Sequence, residues 1–181
     1  MEYGMIAIVN SKKGFIPNAI KWFTKSQFSH SLVVMPDILG TQLCIEAAEG
    51  GVDFTKWAKE YVNNVEEGYE LWRVKVDPLA MDKALKCILN DLEMSYGYLS
   101  YPFFIYRRIC AIFGKDVKSQ NNWFKSDGMI CSQLCMAYLN ECKLDPSIFS
   151  GYGQGSIAPQ DLHDIFTAHP ETFELIETVR L

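Results

Sequence analysis

Of 181 residues, 22 are acidic and 17 basic, for a formal net charge of −5, while 49% are hydrophobic and 13% aromatic. This composition excludes a disordered chain and argues against a general nucleic-acid binder, which needs a basic face. The length suits one domain, residues 1–181, with a core that needs no staples, and no apolar run is long enough for a membrane-spanning helix.

In chain order, Met1-Glu2-Tyr3-Gly4 lacks the basic-then-apolar pattern of a secretory signal, so a cytoplasmic protein is expected. The six cysteines are accordingly expected as free thiols in a reducing compartment. Met5–Val9 predicts a first strand. Pro17 to about Lys25 fits a short helix with proline near its first turn. Ser31–Met35, bounded by Pro36, reads as a buried strand, and Gln42–Ala47 as the next, followed by a turn at Gly50-Gly51. Phe54–Tyr61 is expected as a short helix. In Tyr69–Val76 the alternation of Leu71, Arg73 and Lys75 with Trp72, Val74 and Val76 predicts a half-buried strand.

Asp77-Pro78 supplies a cap and a first-turn proline to a helix carrying Leu85, Ile88, Leu89 and Leu92, expected to end near Ser95-Tyr96-Gly97. Beyond it, Ile105–Phe113 is expected to be helical and Lys118–Asn122 a loop. Arg107-Arg108 sits among Tyr98, Tyr101, Phe103, Phe104 and Tyr106. It reads as a packed aromatic segment with a solvated arginine pair, or as a surface for a phosphate or a membrane. A second strong helix begins near Cys131, with Leu134, Cys135, Tyr138 and Leu139 on one side. Phe149–Gly155 reads as a glycine-rich loop, Ala158–Leu162 opens a short helix, and Phe173–Ile176 is the expected last strand. Strands and helices fall in separate runs, which predicts an α+β fold.

Three residue types in this order point to covalent chemistry. Cys131 follows the turn-prone Ser126-Asp127-Gly128-Met129 and enters a helix, where unpaired N–H groups and the dipole favour a thiolate. Its own N–H is a candidate oxyanion donor. His30 ends a polar turn and opens an apolar strand, and its ordinary pKa lets it take and return a proton near neutrality. Glu46 sits inside an apolar strand, where a buried carboxylate needs a partner such as an imidazole; the plainer alternative is an edge glutamate facing water. From its helix position alone, Cys131 also reads as a small buried hydrophobe, the commoner fate of a free cysteine. His163 and His169 look like surface or helix-end residues. Cys131 and Cys135, one helical turn apart, could hold zinc with His30, although no paired CxxC or HxxxH signature accompanies them.

Several segments carry a family likeness: Trp22-Phe23-Thr24-Lys25-Ser26 leading to Phe28-Ser29-His30-Ser31-Leu32-Val33-Val34, then Ile45-Glu46-Ala47 with Gly51-Val52, Tyr96-Gly97-Tyr98, Ile130-Cys131-Ser132-Gln133-Leu134, and Ser156-Ile157-Ala158-Pro159-Gln160-Asp161-Leu162. In this order they resemble the circularly permuted branch of the NlpC-type papain-like cysteine hydrolases, which includes YiiX-like proteins, a poxviral member and the lecithin:retinol acyltransferase group. The resemblance implies an antiparallel sheet packed against a nucleophile-bearing helix. It also implies Cys131 as nucleophile, His30 as base, Glu46 as orienting group and Tyr96 as an oxyanion or substrate-positioning hydroxyl. Two departures bear on substrate: Gly97 follows Tyr96 where an acidic residue is common, and an aromatic and basic insert, residues 98–125, precedes Cys131.

The expected activity is hydrolysis of an amide or ester in a cell-wall peptide or lipid-linked substrate, without a cofactor, through an acyl-enzyme on Cys131. Acyl transfer to an acceptor other than water uses the same residues. The aromatic insert favours a small or acylated substrate and allows contact with a membrane surface or cell wall; no nucleic-acid partner is expected. The alternative is a non-catalytic structural or binding module on the same fold, such as a viral particle component.

Overall fold

Apolar residues at nearly every position of β1 (Met5–Ser11) make it a strand buried on both faces, and it lies inside the sheet. The computed structural model describes residues 4–12, 15–115, 117, 128–153 and 155–180. On one side β1 pairs with β2 (His30–Val34), which pairs with β3 (Leu43–Ala48) and then β4 (Gly51–Lys56). On the other it pairs with β5 (Glu67–Val74), and the edge strand is β8 (Phe173–Val179). All neighbours in this six-stranded sheet run antiparallel. A separate parallel pair joins β6 (Ser95–Tyr96) to β7 (Gly128–Met129). With helices α1 (Phe15–Thr24), α2 (Pro78–Ile88), α3 (Tyr101–Ile112), α4 (Cys131–Glu141) and α5 (Pro159–Ala168), the fold is α+β.

Side-chain alternation sends Ile6, Ile8, Val33, Ile45 and Trp72 to one face of the sheet. There they pack with Leu85 and Ile88 of α2, Leu134 and Tyr138 of α4, and Leu162 and Phe166 of α5. The opposite residues Met5, Ala7, Val9, Leu32 and Leu71 are covered by Trp57, Tyr61 and Tyr69. Burying such side chains contributes on the order of 2 kcal/mol each, so the two clusters hold the sheet between them.

Several expectations are corrected. Phe54–Tyr61 is not one helix. Phe54 and Thr55 belong to β4, opposite Ile45 and Cys44, and a π-helical turn follows at Ala58–Val62. The hairpin turn there uses Gly51 at a φ of 112°, where an added side chain would also strike the Met94 carbonyl. The helix predicted to start at Asp77-Pro78 stops at Ile88 and a short 3₁₀ turn, well before Ser95, and Glu93 then adopts a left-handed φ of 68°. Residues 93–94 then bond Val52, carrying the chain onto β4. In the insert, α3 is longer than expected, starting at Tyr101 with Pro102 in its first turn. The last strand runs on to Val179, and β5 begins at Glu67 and ends at Val74. The predicted loop Lys118–Asn122 and the turn-prone Ser126-Asp127 lie outside the described residues.

The arginine pair also differs from the solvated reading. Arg107 makes a two-pronged ion pair with Asp161, its NH1 and NH2 groups 2.6 and 2.7 Å from Oδ2 and Oδ1, and donates to the Ser156 carbonyl. Asp161 also accepts from the Ala158 N–H, closing the start of α5. Arg107 thereby ties α3 to α5. Replacing it strands a buried carboxylate, so Arg107→Ala is expected to lower unfolding free energy by about 3 kcal/mol in urea titration. The further Asp161→Asn change should recover part of that loss; a double-variant loss equal to the sum of the two single losses would show the pair to be idle.

Candidate active site

α1 stops in a manner its sequence hides. Lys25, at a φ of 54°, takes the left-handed position usually given to glycine, and Ser26 N–H reaches back to the Lys21 carbonyl at 2.9 Å. Gln160 of α5 accepts from the Ser26 hydroxyl and the Gln27 N–H, so this turn is pinned from a distant element. Ser29 then bonds the Val9 carbonyl, and β2 starts at His30 opposite Val9. The imidazole is thereby carried on the first residue of a buried strand.

The registry of β2 on β3 pairs Val33 with Ile45 and Val34 with Cys44, which places Glu46 on the same face as His30. His30 Nε2 lies 2.7 Å from Glu46 Oε2. The same oxygen accepts the Tyr61 hydroxyl at 2.5 Å, from the π-helical turn. Glu46 is thus buried and twice partnered, not an edge residue facing water. With Nε2 engaged, Nδ1 is the ring nitrogen left for the Cys131 thiol, which lies near enough for each group to shift the other's pKa.

Cys131 is the first residue of α4 and only 3% exposed. Gln133 caps the helix by accepting the Ile130 N–H at 2.8 Å, and the N–H groups of Gln133 and Leu134 bond the Ile130 carbonyl, so the N–H groups of Cys131 and Ser132 precede the first of these helical bonds. α4 packs on the face of the sheet that carries Val33, so the thiol and the imidazole meet past the start of β2. The hydroxyl of Ser31, the next residue after His30, lies against both Cys131 and Cys135.

The electrostatics follow from these contacts. Burial alone penalises the Cys131 thiolate, but the His30 hydrogen bond and charge, with Ser31, outweigh it and lower the thiol pKa. For His30, burial disfavours the imidazolium, yet the bonds to Cys131 and Glu46 raise it to about 10. Burial likewise works against ionised Glu46, while His30 and the neighbouring hydroxyls bring it down to about 2. Elsewhere burial wins: Cys44 and Cys135 are pushed well above their ordinary value, and Cys142 to about 11. All six cysteines are free, and Cys131 alone among these four buried thiols is shifted toward the thiolate.

Tyr96 reaches the same place from β6. Its pKa is raised well above the ordinary value, by burial first and then by the negative charge on Cys131, so it stays a hydroxyl. Tyr101 donates to it at 3.0 Å, which leaves the Tyr96 proton available for another acceptor. The departure at Gly97 has a steric reason: a side chain there would meet the Gly128 backbone at 3.2 Å, so the β6–β7 contact needs both glycines. A cavity of about 250 Å³ opens over His30 and Glu46, walled by Ile20, Tyr61, Tyr96 and Tyr101. A narrower cleft beside Cys131 shares Ile20, Tyr96 and Tyr101 with it.

Tyr61, Tyr101, Ser31 and Glu67 escaped the sequence reading. Glu67 also lines the cavity, accepts the Ser11 hydroxyl at 2.8 Å, and has a pKa raised mainly by burial. Only Ser31, beside His30, had a local signal. His163 bonds Glu70 and His169 bonds Glu171, away from the trio. The considered cysteine–histidine zinc set does not assemble: among the described residues no group of three or more His, Cys, Asp or Glu side chains is placed to hold a metal ion.

No family model matches the chain, and no curated protein matches it by sequence. Among solved structures, the metalloprotein YiiX from Escherichia coli O157:H7 is similar at a TM-score of 0.56 and 16% identity. The alignment covers 98% of this chain and 97% of that one. The chain has a YiiX-like α+β fold, with helices packed on an antiparallel sheet.

Proposed function

We propose that residues 1–181 form one permuted papain-like domain acting as a cysteine hydrolase on an amide or ester, with Cys131, His30, Glu46 and Tyr96 in the reaction. The observation that carries this reading is the connected series Tyr61–Glu46–His30–Cys131 ending at a helix N-terminus beside a cavity. A buried thiol kept only for packing has no need of an imidazole held by a buried carboxylate.

In the resting state the thiol proton resides on His30, giving a thiolate–imidazolium pair stabilised by Glu46. The Cys131 sulfur attacks the substrate carbonyl carbon, forming a C–S bond and moving the π electrons onto oxygen. The Cys131 N–H and the Tyr96 hydroxyl stabilise that oxyanion. Collapse breaks the carbonyl bond to the leaving amine or alcohol, which takes the His30 proton. Water then attacks the thioester while His30 accepts its proton, and the thiolate departs with the acid product released. An alcohol in place of water gives acyl transfer with the same balance. YiiX is described as a metalloprotein; among the described residues of this chain no group of three or more His, Cys, Asp or Glu side chains is placed to hold a metal ion, and no step above involves one.

The test is the pH dependence of iodoacetamide labelling at each cysteine, read by mass spectrometry in the parent and in His30→Ala. Labelling confined to Cys131 below about pH 7, and lost in the variant, is the expected result. Slow, uniform labelling that ignores His30 would favour a binding module on this fold.

A further inference from the structure

The exposed apolar surface is concentrated where the charge is most one-sided. Ile105, Tyr106, Ile109, Ile112 and Phe113 stand exposed on and just after α3, and Trp22 on α1 is 66% exposed. Positions 105, 109 and 112, and 106, 109 and 113, share a helical stripe, so these side chains form one face; α1 packs against α3. In an acidic chain, residues 3–36 and 94–115 contain seven lysines and arginines and no aspartate or glutamate. Arg107 and Lys21 are engaged inside the fold; of the others, Arg108 and Lys115 flank the stripe on and just after α3, partly exposed and exposed, while Lys25 just after α1 and Lys12 are also exposed.

A face of this kind fits an anionic lipid surface: apolar side chains enter the acyl boundary and flanking cations meet the headgroups. The acidic remainder of the chain is repelled by such a surface, which fixes the orientation. That orientation matters because the same two helices wall the cavity, with Ile20 from α1 and Tyr101 from α3 at its edge. We propose that the α1–α3 face docks on anionic membranes and presents an acyl-bearing lipid to the cavity. The docking surface stands by itself, whereas the delivery role rests on the hydrolase reading.

The test uses the full chain and sedimentation with vesicles of phosphatidylcholine alone or equimolar with phosphatidylglycerol. The parent is expected to bind the anionic vesicles and to be released by salt. Ile109→Asn with Ile112→Asn, both at exposed positions, should weaken binding at least about tenfold. Arg108→Glu with Lys115→Glu should do the same and abolish the preference for phosphatidylglycerol. Thermal melts matching the parent keep unfolding from imitating either result. Absence of binding, or binding that ignores lipid charge and both variants, overturns the proposal. So does a parent dimer that the isoleucine variant converts to monomer, since the face would then be a self-interface. Cys131→Ser protein should bind vesicles as the parent does. A parent that hydrolyses soluble esters yet ignores vesicles overturns the docking surface and leaves the hydrolase reading intact.

Discussion

Replacing Cys131 by alanine is expected to lower hydrolysis of an activated p-nitrophenyl ester by at least about three orders of magnitude, because it removes the nucleophile that would form the acyl-enzyme. Cys135, one turn further along α4, is no substitute: burial raises its pKa and it packs in the core. The fold should survive, since the change removes one sulfur from a helix end, and the stability cost is about 1 kcal/mol. Cys131→Ser, which keeps the volume, guards against collapse of the narrow cleft. Both variants should melt like the parent within a few degrees. Turnover that survives in Cys131→Ala would eliminate the covalent mechanism.

Glu46→Gln carries the second large effect, through the imidazole. Its carboxylate both orients His30 and stabilises the imidazolium, so its loss should reduce turnover by roughly 10³–10⁴-fold and shift Cys131 labelling to higher pH. The same pair makes a prediction about stability. Glu46 is lowered from 4.5 to about 2 despite its burial, through His30 and neighbouring hydroxyls, so its contribution is complete above pH 4.5 and lost as pH falls toward 2. His30 is raised from 6.5 to about 10 by Cys131 and Glu46 against the effect of burial, so its contribution is complete below 6.5 and lost as pH rises through 10. Urea midpoints of parent and Glu46→Gln should therefore differ most between pH 4.5 and 6.5 and converge on both sides. A difference that is flat with pH would mean that the buried pair is not ionised.

Much of the candidate site was legible because its types are chemically unusual where they stand. A glutamate between Ile45 and Ala47, a histidine opening an apolar strand and a cysteine opening a helix each break a local pattern. Their convergence was not legible. His30 and Glu46 meet through strand registry, and Cys131 arrives on a helix about a hundred residues later, so no local rule states a distance. Tyr61 is the clearest omission. Its segment reads as a short helix, and nothing in Ala58–Val62 shows that a hydroxyl will reach Glu46.

By itself the sequence determined the fold class, most strands and helices, and the types available for acid–base and nucleophilic chemistry. These follow from side-chain periodicity, capping residues and ordinary pKa values, which act over a few residues. Tertiary structure alone decided that Arg107 is an internal tie and not a solvated charge, that Gly97 and Gly128 need each other, and which buried thiol has its pKa lowered. Those outcomes depend on burial and on partners distant in the chain, as with the 54 residues between Arg107 and Asp161. A cysteine's local sequence says little about either, and so six thiols that look alike along the chain become chemically different once folded.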